Sequence, residues 1–113
     1  MPDSRTYHTQ EACPVARTLD AVGDRWTILV LRELSFGRKR YSQLLTGLDG
    51  ISTNLLAERL KKLEDAGMIH QVLYSERPRR FEYRLTEKGR AFVPVLQALR
   101  DYGEAWEPRR PQS

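Results

Sequence analysis

Thr53, Asn54, Ala57, Glu58 and Lys61 recur at helical spacing in the segment ISTNLLAERLKKLEDAGMI, residues 51–69. Their side chains are small or polar, and their chemistry is recognition rather than bond breaking. Asn54 can make a paired donor–acceptor contact to adenine, and Ala57 and the Thr53 methyl can meet a thymine methyl. Lys61 can reach a phosphate or a guanine. Glu58 can accept from cytosine, or it can simply pair with Lys61 or Lys62 on its own helix. The chain has no Ser/His/acid or Cys/His spacing and no glycine-rich phosphate loop, and its two histidines, His8 and His70, lie far apart. We therefore expect no enzyme, no cofactor and no metal site.

A second set of residues offers charge. Arg38, Lys39 and Arg40 are consecutive, Arg77, Arg79 and Arg80 surround Pro78, and the net charge is +4. Basic clusters are often plain solvated loops, so charge alone is only a modest pointer to an anionic polymer. Their placement relative to the polar helix matters more. A third candidate is the single cysteine, Cys13, directly before Pro14. A thiol at a helix start feels the positive end of the helix dipole, and Arg17 lies one turn on, which favours a thiolate. The alternative is an unreactive cysteine filling a small space.

The elements that position these residues can be read from the hydrophobic period. Residues 1–12 are polar and unpatterned, a flexible arm, and 108–113 form a flexible tail, leaving one domain over 13–107. Pro14 suits a first helical turn, and Val15, Leu19 and Val22 make a stripe up to Gly23. Asp24 can cap a second helix over 25–34, with Trp26, Leu29, Val30 and Leu34 inward. Ser42 is a good cap for a short helix holding Leu44, Leu45 and Leu48, which Asp49 and Gly50 end. The quoted segment is then a helix capped by Ser52 or Thr53, anchored by Leu56, Leu60 and Leu63, and stopped by Gly67. The period changes to two over 69–74 and 80–85, where Val72 and Tyr74, then Phe81, Tyr83 and Leu85, alternate around a tip at 75–80. A last helix runs from 86 to about 106, with a kink or restart expected at Pro94.

Helix, helix, short helix, tight turn, capped helix, hairpin, helix is the order of a winged helix-turn-helix, an α+β fold that is mostly α. A helix enters the ~12 Å major groove of DNA only if its leading face is slim and polar and its other face rests on a core. The segment 51–69 meets both conditions. The arginine-rich hairpin that follows can reach the backbone or an adjacent minor groove.

The chain resembles the HxlR-type transcriptional regulators, relatives of the MarR-like winged-helix proteins. The resemblance runs from Cys13 to Trp106. It is carried by CPV, GDRW, LRELSFGRKRYSQL, ISTNLLAERLKKLEDAGMI and PRRFEYRLTEKG, followed by a late aromatic helix. It implies a homodimer joined through the first and last helices on a roughly palindromic operator of double-stranded DNA. It also implies basic or backbone-contacting roles for Arg25, Arg40 and Arg59. Many such proteins carry a cysteine where Cys13 stands, and some sense oxidants or electrophiles with it. Arg25 replaces the lysine common before the tryptophan. Arg79 stands where a second proline often follows Pro78, which makes the wing more basic.

Independently of the resemblance, Phe92, Val95, Leu99, Tyr102 and Trp106 form a longer, more aromatic stripe than so small a domain needs for itself. With Val15 and Leu19 they are the expected dimer surface; the alternative is that the stripe covers the protomer's own core. One cysteine permits no disulfide within the chain, and no segment reaches the ~18 apolar residues of a membrane span. The expected setting is cytoplasmic, without membrane attachment. The sequence names no small-molecule effector, operator or direction of regulation.

Overall fold

The helical and alternating periods are both realised in the computed structural model, which describes residues 13–109. The arm over 1–12 and the tail beyond residue 109 lie outside the described residues. Four helices, α1 (Pro14–Val22), α2 (Arg25–Ser35), α3 (Tyr41–Gly47) and α4 (Thr53–Asp65), come first. An antiparallel hairpin follows, β1 (Ile69–Glu76) and β2 (Arg79–Leu85), and then α5 (Glu87–Ala91) and α6 (Val93–Trp106). The architecture is mostly helical with a two-stranded wing, a winged helix.

Val22, Val30, Leu31, Leu34, Leu44, Leu48, Leu56, Leu60 and Leu63 form the core, closed on the wing side by Met68, Ile69 and Phe92. Trp26 and Leu29 are half-buried against it. Asp24 caps α2 as expected, accepting from the Thr27 backbone N–H at 3.0 Å. Ser52 rather than Thr53 caps α4, accepting from the Leu55 N–H at 3.1 Å. Gly67, at φ +75°, lets the N–H groups of Gly67 and Met68 turn back onto Glu64 and Leu63, which stops α4 and redirects the chain into β1.

Some boundaries differ from the sequence reading. Ser42 does not cap α3. The cap position is Arg40, two residues earlier, and the Gln43 side chain instead accepts from the backbone N–H groups of Lys39 and Arg40, both at 3.0 Å. Both strands are longer than expected because pairing continues past Tyr74, beyond a register shift between Leu73 and Ser75. The restart at Pro94 is present: Phe92 separates α5 from α6, and Pro94 stands in the first turn of α6.

Two carboxylates are buried, Glu33 within the apolar face of α2 and Glu82 on the strand face opposite Phe81, Tyr83 and Leu85. Glu33 accepts from Arg38 at 2.6 Å and from Arg32 at 2.9 Å, which holds the turn between α2 and α3. Gly47 allows this close approach, because a Cβ there would run into the Glu33 carboxylate. On the wing, buried Glu82 accepts from Arg84 at 2.7 Å and pairs with Lys39 at 3.6 Å. The hydrogen bond from Arg84, with the charges of Arg84 and Lys39, holds its carboxyl below the usual range despite its burial. The Tyr83 N–H donates to the Lys39 carbonyl at 2.7 Å, so the segment before α3 is laced to β2.

Candidate nucleic-acid interface

The position of α4 is fixed from three sides. Leu56, Leu60 and Leu63 are at most 1% exposed and root it in the core. At its start, the Tyr41 hydroxyl donates to the Thr53 carbonyl at 2.7 Å, joining the first turns of α3 and α4. Along its flank, Arg59 and Lys62 reach the Asp24 carboxylate at 3.1 and 3.2 Å. Thr53, Asn54, Ala57, Glu58 and Lys61 are all exposed on the remaining face. The slim polar face inferred from sequence therefore stands clear of the protomer on a rigid support.

Glu58 and Lys61 do not pair with each other. Glu58 accepts from Arg59 at 2.8 Å, and Lys61 pairs with Asp65 at 3.7 Å. Asp24 is the electrostatic centre of this region. Burial alone would raise its pKa, but hydrogen bonds from the Thr27 hydroxyl and N–H and from Lys62, with the charge of Arg59, hold it well below the carboxylate range.

The basic residues divide into two groups. Arg38 and Lys39, part of the cluster before α3, are exposed but pair with the buried carboxylates of Glu33 and Glu82. Arg40 is exposed and lies over the Tyr74 ring at 4.3 Å, a cation–π contact between the start of α3 and the wing. Arg77, Arg79 and Arg80 are exposed at the wing tip, with Arg79 over the Phe81 ring at 5.3 Å. Arg25 is exposed at the start of α2 beside Trp26, 5.6 Å from the ring centroid. Arg59 is largely enclosed between Asp24 and Glu58. The bridging role of Asp24, the Tyr74 stack and both buried glutamates escaped the sequence reading. An acid within an apolar stripe flanked by arginines, as at Glu33, is the signal that marks such a pair.

A separate set of exposed residues is apolar. Val15 and Leu19 of α1 and Val95, Leu99, Tyr102 and Trp106 of α6 are exposed, from 44% at Val95 to 71% at Trp106. Phe92 parts from this group: it is 8% exposed and belongs to the protomer's own core, because the break before α6 turns it inward. Cys13 is half-buried at the start of α1, two residues before Val15.

Fold and exposed helix together define a winged helix-turn-helix of the DNA-binding type. The family model "HxlR-like helix-turn-helix" matches residues 21–111, and the chain belongs to that family of transcriptional regulators. An HTH-type transcriptional regulator from Synechocystis sp. is 44% identical over 100 residues, covering 88% of this chain and 74% of the relative. Among solved structures, the reduced form of the transcriptional regulator YodB from B. subtilis superposes with a TM-score of 0.72 at 33% identity, over 87% of this chain and 98% of that one. The redox regulator HypR in its oxidised form gives 0.77 at 31% identity, over 88% and 100%. No helix among the described residues is long and apolar enough to cross a membrane.

Proposed function

We propose that the chain regulates transcription as a homodimer that binds a roughly palindromic operator, one α4 per half-site. The exposed polar face of α4 above three fully buried leucines carries this reading, because it separates what reads DNA from what holds the helix. In it, Thr53, Asn54, Ala57, Glu58 and Lys61 meet base edges. Arg25 and Arg40 meet the backbone, and Arg77, Arg79 and Arg80 carry the wing to phosphates or the minor groove. Arg59, engaged by Asp24 and Glu58, orients the reading face instead of touching DNA. The exposed apolar residues of α1 and α6 supply the second copy's contact surface. Half-sites then lie ~34–36 Å apart.

The test is selection of bound duplexes from a random pool, followed by titration across salt. Inverted repeats at that spacing, with log affinity falling by about 0.9 per phosphate in log salt, support the reading. Monomers at micromolar concentration with salt-independent binding overturn it.

A redox or electrophile response through Cys13 is part of the same proposal. Its support is the half-buried thiol at the start of α1, next to Val15 on the apolar surface, and the likeness to HypR, a redox regulator. In a dimer, diamide would take two hydrogens from two Cys13 thiols to leave an interchain disulfide, changing the spacing of the two α4 helices. Such coupling is typically worth ~1–3 kcal/mol. Diamide should shift operator affinity of the wild type and leave Cys13→Ser unmoved; an equal shift in both means that Cys13 is structural.

A further inference from the structure

Helix α4 carries more positive charge beside its reading face than it offers to solvent. Arg59 and Lys62, three residues apart, share the flank between the exposed face and the buried leucines. Both are directed at one carboxylate: Arg59 Nε lies 3.1 Å from Asp24 Oδ1, and Lys62 Nζ lies 3.2 Å from Oδ2. Asp24 also receives the Thr27 N–H on Oδ1 at 3.0 Å and the Thr27 hydroxyl on Oδ2 at 2.6 Å. The guanidinium of Arg59 is further engaged by Glu58 Oε1 at 2.8 Å. A helix cap needs only the Thr27 N–H contact, which the single amide oxygen of an asparagine would accept equally well, with the Thr27 hydroxyl turned to accept from the asparagine NH2. The negative charge of Asp24 serves α4 instead.

We propose that Asp24 is a specificity-determining residue for DNA binding: its carboxylate occupies Arg59 and Lys62 and withholds both cations from the phosphate backbone. The proposal rests on the reading in which α4 enters the major groove, whose walls are lined by phosphates on either side of the helix. A cation on the flank of α4 is well placed for those phosphates, and Asp24 is the internal anion that competes for it. Phosphate contacts raise affinity for every sequence alike, whereas base contacts discriminate. Holding two flank cations internally lowers affinity for arbitrary DNA and leaves the exposed face of Asn54 and its neighbours to decide the site. The ratio of specific to non-specific binding rises as a result.

The experiment uses the full chain and a mixed-sequence DNA duplex, with binding followed by fluorescence anisotropy at several salt concentrations. Asp24→Asn keeps the cap and removes the charge. It should bind the mixed duplex more tightly at low salt, with a log–log salt slope steeper by roughly 1–2, about 0.9 for each phosphate gained. Adding Lys62→Gln to that variant should return about 0.9 of the slope, while Lys62→Gln in the wild type should leave the slope unchanged. An unaltered or shallower slope in a folded Asp24→Asn protein overturns the proposal. So does a loss of about 0.9 on Lys62→Gln alone, which decides the matter if Asp24→Asn does not fold. Absence of any duplex binding by the wild type sinks the DNA reading itself; ordinary wild-type binding with a slope indifferent to Asp24 sinks only this inference.

Discussion

Asn54 sits in the first turn of α4, exposed and next to the Ser52 cap, so its amide is free of the helix's own end. A side-chain amide there can make the paired contact to adenine that backbone-directed residues cannot. Asn54→Ala should cost ~1–3 kcal/mol on the selected operator and little on mixed DNA, so that a competition titration shows relaxed preference at one base position. Unchanged preference would mean that α4 enters the groove turned about its axis from the orientation proposed here. Asp24 lends itself to a pH test. Its folded-state pKa is depressed below the ordinary 3.8, so its contribution to stability is fully present above that pH and declines as pH falls toward the folded value. Urea midpoints of wild type and Asp24→Asn should therefore differ at neutral pH and converge in acid, starting below about pH 3.8. A gap that stays constant through the acid range would mean that the charge of Asp24 contributes nothing to folding.

At the scale of the element, the wing and α4 divide the labour of binding. The wing tip carries Arg77, Arg79 and Arg80 beyond the core, where even Leu73 and Phe81, paired across the strands, are 37% and 39% exposed. Arginines on such a support meet phosphates without reading sequence. Arg79→Ala should weaken binding to all duplexes similarly and reduce the salt slope by about 1, with the operator preference intact. Loss of preference would instead assign the wing a reading role. The elements themselves were legible because each carries a local signal: Asp24 and Ser52 as caps, Gly67 as a stop, Pro94 as a restart. The face of α4 was legible for the same reason, since three leucines at helical spacing define its opposite. What stayed hidden is long-range. The pairing of Arg59 and Lys62 with Asp24 joins residues more than thirty positions apart, and no period encodes it. At the start of α3, Ser42 has the better intrinsic capping chemistry. Gln43 prevails by reaching back to two N–H groups at once. The apolar spacing of α6 continues through Phe92, but the helix does not.

At the scale of the whole molecule, α6 contributes little to the protomer's own core. No residue of α6 is buried, although Val95, Leu99, Tyr102 and Trp106 are large and apolar. Leu96 packs partly against the core and holds α6 in place, while Val95, Leu99, Tyr102 and Trp106 face solvent, as Val15 and Leu19 of α1 also do. Aromatic and aliphatic residues concentrated on one exposed face are the composition of an interface centre. A second copy covering that face would link two α4 helices and turn two weak half-site contacts into one avid event. Leu99→Glu tests this directly. Leu99 is 49% exposed, so the substitution leaves the protomer core intact while placing a charge in the proposed contact. The variant should sediment as a monomer at micromolar concentration with a cooperative thermal transition, showing that the fold survives. Its affinity for a full operator should fall by about 10²–10⁴, the avidity lost when two linked modules separate, while its affinity for a single half-site changes little. A Leu99→Glu protein that remains dimeric, or that loses half-site and full-operator binding in equal measure, would move the dimer contact away from α6.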